Sequence, residues 1–267
     1  MDQSQEEINI DEYIQNALAI IHPILSSHTY ALFGVDNRDR PELFASSVLI
    51  KVDDIAVLVT AAHAICEIEK YGSAIHVGAN KSIYELTNDF VRSSKGGDDQ
   101  LDLAAMVIPD QWLISHFAVP FTLSAAAREL DNRHPHMRCI HGFPLGKNKA
   151  SSRADLAKRK FTMYGLTYAG ASNEVVVDYA RYGKREDTHL ALQYQRKSKT
   201  NGGQDVIPPS PKGMSGGGLW SIPDSFNPQL IELDGIVIEL REKSLVLATR
   251  VEYVVKFLRE LVLPHGK

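Results

Sequence analysis

Apolar residues recur near the start of the chain at Ile8, Ile10, Tyr13, Ile14, Ala17, Leu18, Ile21 and Ile24, close to the spacing that lines one helix face. The pattern predicts an amphipathic helix over about 7–25 whose apolar side packs against the rest of the molecule. Then the pattern changes. Short apolar runs bounded by turn residues follow at 30–34, 45–52, 55–60, 74–77, 83–86 and 103–108. A second series occupies 161–167, 174–178, 189–194, 219–222, 230–239 and 245–249. Runs this short and bounded by turns predict the strands of a barrel-like unit rather than a βαβ sheet. The segment 131–157 is rich in Arg, Lys, His and Asn around an apolar stretch at 139–145, and 198–211 reads as a polar loop rich in Gly and Pro. A closing helical run extends to about Leu263.

A chain of 267 residues with 44% hydrophobic content can bury one sizeable core, and two independent domains are not required. The formal net charge of −4 gives no electrostatic reason to expect nucleic acid or an anionic membrane as partner. The locally basic stretches 147–160 and 184–199 read as solvated loops or strand edges. No stretch approaches the roughly 18 apolar residues of a membrane-spanning helix. The opening Met-Asp-Gln-Ser-Gln-Glu-Glu lacks a basic region followed by an apolar one, so no secretory leader is expected. Cys66 and Cys139 are too few for a disulfide framework and are expected to be reduced, in a cytoplasmic protein. His134, His136 and His141 lack companion ligands at metal-binding spacing, so no metal is expected.

The chemistry concentrates in three segments. Gly213-Met214-Ser215-Gly216-Gly217-Gly218 sets a serine among glycines. His63 follows the apolar run that ends Thr60-Ala61-Ala62, and Asp102 opens the run Leu103-Ala104-Ala105-Met106. A serine hydroxyl is a poor nucleophile until an imidazole takes its proton and a carboxylate holds that imidazole in one tautomer. Glycines beside the serine let the backbone turn so that N–H groups face a developing oxyanion. Asp98 and Asp99 compete with Asp102 for the acidic place; the apolar strand that Asp102 opens favours it.

In the order His, Asp, Ser the chain resembles the chymotrypsin/trypsin-like serine peptidases, whereas subtilisins and α/β-hydrolases run in other orders. Asp234-Gly235-Ile236-Val237-Ile238-Glu239 looks like that family's cleft-lining strand, and Ala248-Thr249-Arg250-Val251 like its last strand and C-terminal helix. Cys139-Ile140-His141-Gly142-Phe143-Pro144 is similar to the turn that opens the second barrel in many bacterial members. The resemblance implies an all-β fold of two packed six-stranded antiparallel β-barrels, with an added N-terminal helix and a C-terminal helix. Residues 1–27 are then a helical extension, about 28–125 the first barrel, about 135–250 the second, and about 251–263 the closing helix.

It further implies a cofactor-free serine endopeptidase in which Ser215 attacks, His63 relays the proton and Asp102 holds the imidazole, with the oxyanion between the N–H groups of Gly213 and Ser215. The substrate is a protein or peptide, bound along Pro209, Lys212, Ile238, Glu239 and Leu240. Pro209 and Val246 point to a small or apolar residue before the cleaved bond, while Glu239 could recruit a basic one. Met214 stands where activatable members carry an aspartate that pairs with a newly cut N-terminus. A thioether cannot form that pair, so control is expected from a regulatory protein partner, a loop or the substrate rather than from zymogen cleavage. Two readings from other classes remain: a catalytically silent module that binds a peptide or partner along the cleft, and an esterase on the same fold.

Overall fold

Three strands of the first half, 29–35, 55–61 and 103–107, are buried on both faces, which is why their sequences are almost unbroken apolar runs. The computed structural model describes residues 10–35, 41–70, 72, 74–94, 100–123, 137–148, 163–169, 175–194, 198–199, 205–206, 209–222, 227–241 and 244–265. Helix α1 (Ile10–His28) leads into β1 (Thr29–Val35), β2 (Pro41–Val52) and β3 (Ile55–Ala61). Helix α2 (Ala62–Lys70), β4 (His76–Ala79), β5 (Ser82–Glu85), β6 (Val91–Arg92) and β7 (Leu103–Val107) follow, then α3 (Asp110–His116) and β8 (Phe121–Thr122). The strands form one sheet in the order β5-β4-β1-β2-β3-β7-β6, with β8 added beside β2.

The second half supplies β9 (Met137–Gly142), β10 (Leu166–Ala169) and β11 (His189–Gln193), then a two-stranded ribbon of β12 (Ser198–Lys199) and β13 (Asp205–Val206). After these come β14 (Gly218–Ile222), β15 (Glu232–Arg241), β16 (Leu245–Arg250) and α4 (Val251–Phe257). The six-stranded sheet runs β10-β9-β14-β15-β16-β11, all antiparallel. The protein is thus mostly β, with two large sheets and one two-stranded ribbon among the described residues.

Two expectations need correction. The sheets are open rather than closed six-stranded barrels, and the first has eight strands. Its terminal strands β5 and β6, four and two residues long, pair only with their inner neighbours among the described residues. Nor is the first sheet wholly antiparallel. The twelve-residue β2 pairs with β1 through Val48, and beyond that point β8 runs parallel to it at Ile50 and Lys51.

The period-two alternation of these strands divides side chains between cores. Val48, Ile50 and Val52 of β2, Val57 and Val59 of β3 and Leu103 and Ala105 of β7 face a core shared with Trp220, Ile222, Leu233 and Ile236 of the second sheet. Their neighbours Leu49, Leu58, Ala104 and Met106 face the other side, against Leu32, Ile65, Ile68 and Val77. Ile21 and Leu25 of α1, and Val254, Phe257 and Leu258 at the C-terminus, complete the shared core. Both terminal helices therefore seal the seam between the sheets.

Boundaries differ in detail. Val175–Asp178 forms no strand, and the loop expected at 198–211 contains the short β12–β13 ribbon. The C-terminal helix is regular only to Phe257, continuing as a wider turn over Leu258–Val262 and a tight one over Leu263–His265. Helix α3 buries no residue, so no apolar periodicity announced it.

Candidate active site

Ala61, the last residue of β3, pairs with Leu103, the first of β7. The residues just outside that pair therefore meet at one end of the sheet. Ala62 donates its N–H to the Asp102 carbonyl at 2.9 Å, and His63 donates its N–H to Asp102 Oδ1 at 2.8 Å. The His63 imidazole completes the contact, with Nδ1 2.6 Å from Asp102 Oδ2. An ionised carboxylate only accepts, so Nδ1 carries the proton and Nε2 is left as the basic nitrogen.

Asp102 adopts φ +53°, a left-handed conformation that costs a non-glycine residue energy unless its surroundings hold it. They do so on both sides. Thr249, reaching over from β16, donates to the Leu101 carbonyl at 2.6 Å, and Leu103 N–H donates to Ser93 Oγ at 3.0 Å. The aspartate side chain is 15% exposed and the imidazole 42%, so the carboxylate is screened while the base stays accessible.

Burial by itself lowers the His63 pKa, but the hydrogen bond and charge of Asp102, with lesser contributions from Glu67 and Glu239, outweigh it and hold the imidazole above its ordinary value.

The segment after Pro211 turns sharply. Gly213 has φ +92° and Gly216 φ +84°, both in the region that favours glycine. A β-carbon on Gly213 would also come within 2.9 Å of Leu145 N and Phe143 O. Hydrogen bonds fix nearly every peptide of the turn. Leu145 N–H donates to the Lys212 carbonyl (2.7 Å), Met214 N–H to Pro211 (2.9 Å), Gly216 N–H to Val237 (2.6 Å) and Gly217 N–H to Met214 (2.9 Å). Among the described residues, the N–H groups of Gly213 and Ser215 meet no acceptor. Two donors on either side of Met214 are thus left for a ligand.

Met214 is 1% exposed, packed with Ile140, Tyr168, Leu192, Tyr194, Leu219 and Val237. Its apolar burial anchors the turn.

His63, Asp102, Ser215, Gly213, Lys212, Ile238, Glu239 and Leu240 all line one cleft of about 1030 Å³. Among the described residues the Ser215 hydroxyl makes no hydrogen bond to His63. Pro209, expected at the base of the specificity pocket, does not line this cleft. Its carbonyl accepts the Tyr194 hydroxyl at 2.6 Å, which ties it behind the wall, and Ser210, Pro211 and Val246 take its place. Tyr194 is stacked on Tyr168, and burial pushes its hydroxyl up to about 12, so it remains a donor at ordinary pH. Glu239 forms an ion pair with Arg241 at 2.6 Å. Asp98 and Asp99 lie outside the described residues.

Cys66 and Cys139 are both free thiols, Cys66 on the cleft wall and Cys139 buried. His141 is buried between Thr167 and Ser26, and no cluster of metal-ligating side chains exists among the described residues; His134 and His136 lie outside them. No described helix is long and apolar enough to cross a membrane.

Sequence reasoning missed Ser46, Thr60, Leu145 and Tyr194, which position this turn without being reactive. For Ser46 a signal existed: it and Ser47 interrupt the apolar run from Leu43 to Ile50.

No protein-family model matches the chain, and no curated protein matches it. Among solved structures it is similar to an inactivated protease paralogue of the scabies mite, S-D1, with a TM-score of 0.51 at 12% identity over 90% of this chain and 94% of that one. A chain from a structure concerning the VPg protein of Sesbania mosaic virus aligns with a TM-score of 0.47 at 14% identity, over 85% and 89%. The first likeness defines a fold shared with a protease paralogue, of the chymotrypsin-like type.

Proposed function

We propose that the chain is a serine endopeptidase acting through Ser215, His63 and Asp102. The observation that carries this reading is the combination, in one cleft, of an imidazole whose Nδ1 is held by a carboxylate and a serine flanked by two unpaired backbone N–H groups. Ser215 Oγ attacks the scissile carbonyl carbon while its proton passes to His63 Nε2. The carbonyl oxygen becomes an oxyanion between the N–H groups of Gly213 and Ser215. Collapse breaks the C–N bond, His63 gives its proton to the leaving amine, and an acyl-enzyme remains. Water, deprotonated by His63, hydrolyses that ester and restores the serine. None of these steps calls on a cofactor.

The peptidase unit in this reading spans 28–263, with 1–27 as its helical extension. Activation by N-terminal cleavage is not part of it, because Met214 is a thioether buried among apolar side chains and cannot itself pair with a new ammonium. The reading includes a cytoplasmic setting, supported by the two free cysteines, and a bacterial source, supported only by the turn after Cys139. A regulatory protein partner is the proposed means of control.

One observation favours the silent-module alternative: the Ser215 hydroxyl is not hydrogen-bonded to His63. Such contacts often tighten only with substrate bound. Fluorophosphonate labelling of the full chain, with Ser215→Ala and His63→Ala as controls, separates the two. Stoichiometric labelling at Ser215, abolished by either substitution, is expected; a folded protein that does not label is either a binding module or a peptidase held off until its partner arrives.

A further inference from the structure

We propose that Ser46 is a positioning residue for the oxyanion donors, its buried hydroxyl clamping the nucleophile turn from the opposite sheet. This rests on the peptidase reading above. Ser46 lies on β2 of the first sheet and is fully buried. Its Oγ donates to the Gly213 carbonyl at 3.0 Å and accepts the Phe143 N–H at 2.8 Å. Its own N–H donates to the Ser215 carbonyl at 2.8 Å, and its carbonyl accepts the Thr60 hydroxyl at 2.7 Å.

A trans peptide points its N–H and C=O in opposite directions, so fixing one end aims the other. The Gly213 N–H belongs to the peptide whose carbonyl, that of Lys212, is held by Leu145 N–H. Leu145 is two residues past Phe143, whose N–H rests on Ser46 Oγ. The same hydroxyl holds the carbonyl of the next peptide, at Gly213. Through the Phe143–Leu145 turn and the Gly213 carbonyl together, one oxygen controls the rotation of the peptide that presents the first donor. The Ser46 N–H restrains the peptide just after the second donor, Ser215.

An alanine would fit the space, yet leave Phe143 N–H and Gly213 C=O buried without partners, and such groups rotate to find others. The Lys212–Gly213 peptide would lose its single orientation, while the cleft walls that bind substrate would keep theirs.

The test is inactivation kinetics with a fluorophosphonate–rhodamine probe on the full chain, comparing the unsubstituted protein with Ser46→Ala. Removing an oxyanion donor outright costs about 10²–10³ in rate, so loosening one is expected to lower the maximal labelling rate about 10- to 100-fold. The probe concentration at half-maximal rate should stay within about twofold, since ground-state binding does not use these donors. A merely structural role would lower melting temperature and leave the labelling rate of the folded fraction unchanged, and that result overturns the clamp while leaving the peptidase reading intact. Should the unsubstituted protein not label without a partner, or Ser46→Ala not fold, amide exchange in the unsubstituted chain decides. Protected Phe143 and Leu145 amides beside freely exchanging Gly213 and Ser215 amides are expected; a protected Gly213 amide overturns the proposal.

Discussion

His63 and Asp102 are joined twice, through the histidine's main-chain N–H and through its ring, one contact to each carboxylate oxygen. The bond from main chain to Oδ1 fixes the carboxylate before the ring is considered, and the ring then has one orientation in which Nδ1 reaches Oδ2. The imidazole is thereby aimed by the pairing of β3 with β7, not by its own rotamer alone.

Replacing Asp102 by Asn should preserve this geometry and invert its chemistry. An amide NH₂ turned toward Nδ1 would move the proton to Nε2, leaving no base for Ser215. Labelling and peptide hydrolysis are expected to fall about 10⁴-fold with little change in melting temperature. Retention of a tenth of the activity would mean that the tautomer is set by something else.

The acidic groups around His63 predict the pH dependence. Asp102, Glu67 and Glu239 raise its pKa above the usual value of about 6.5 despite burial. Only the neutral imidazole accepts the serine proton, so activity should climb with pH through a midpoint above 6.5. Glu67→Gln removes a charge that favours imidazolium and should move that midpoint down. The pH profile of labelling rate reads this directly, and an upward or absent shift contradicts it.

His141 predicts acid lability. Burial, helped by the neighbouring His22, pushes its pKa down to about 3, whereas in the unfolded chain it titrates near 6.5. Between these values the unfolded state binds a proton that the folded state refuses, so stability falls as pH drops below about 6.5. The slope is about 1.4 kcal/mol per pH unit for one such group. Urea unfolding from pH 7 to 4 should show the decline, and His141→Gln should flatten it. Parallel declines in both proteins would assign the effect elsewhere.

Met214 is expected to matter for stability as an ordinary core residue. Met214→Ala would open a cavity among Tyr168, Tyr194 and Val237, at a cost of about 2–5 kcal/mol. Denaturant titration measures it. A loss below about 1 kcal/mol would mean the turn is held by its hydrogen bonds alone.

Much of this was legible in the amino-acid sequence. The apolar runs at 30–34, 55–60, 103–108, 189–194 and 245–249 lie on strands, because a strand buried on both faces must be apolar at nearly every position. The residues that meet in the cleft were legible for a different reason: proton transfer and oxyanion formation restrict which side chains can serve, and glycine alone suits the positive φ of Gly213 and Gly216. Sheet closure was not legible, since the hydrogen bonds of an edge strand involve only backbone atoms common to all residues. The fate of Pro209 depended on Tyr194, fifteen residues away, and local sequence does not state that contact.

The sequence by itself thus determined the alternation that builds two sheets and the kinds of group able to do the chemistry. Only the tertiary structure decided that Ala61 stands opposite Leu103, that Thr249 crosses to hold the residue before Asp102, and that Ser46 reaches the turn of another sheet. The physical reason is that such positioning is done by small buried hydroxyls and main-chain groups. Their type does not tell, in sequence, which peptide they will hold, and their effect comes from being within 3 Å of one particular peptide.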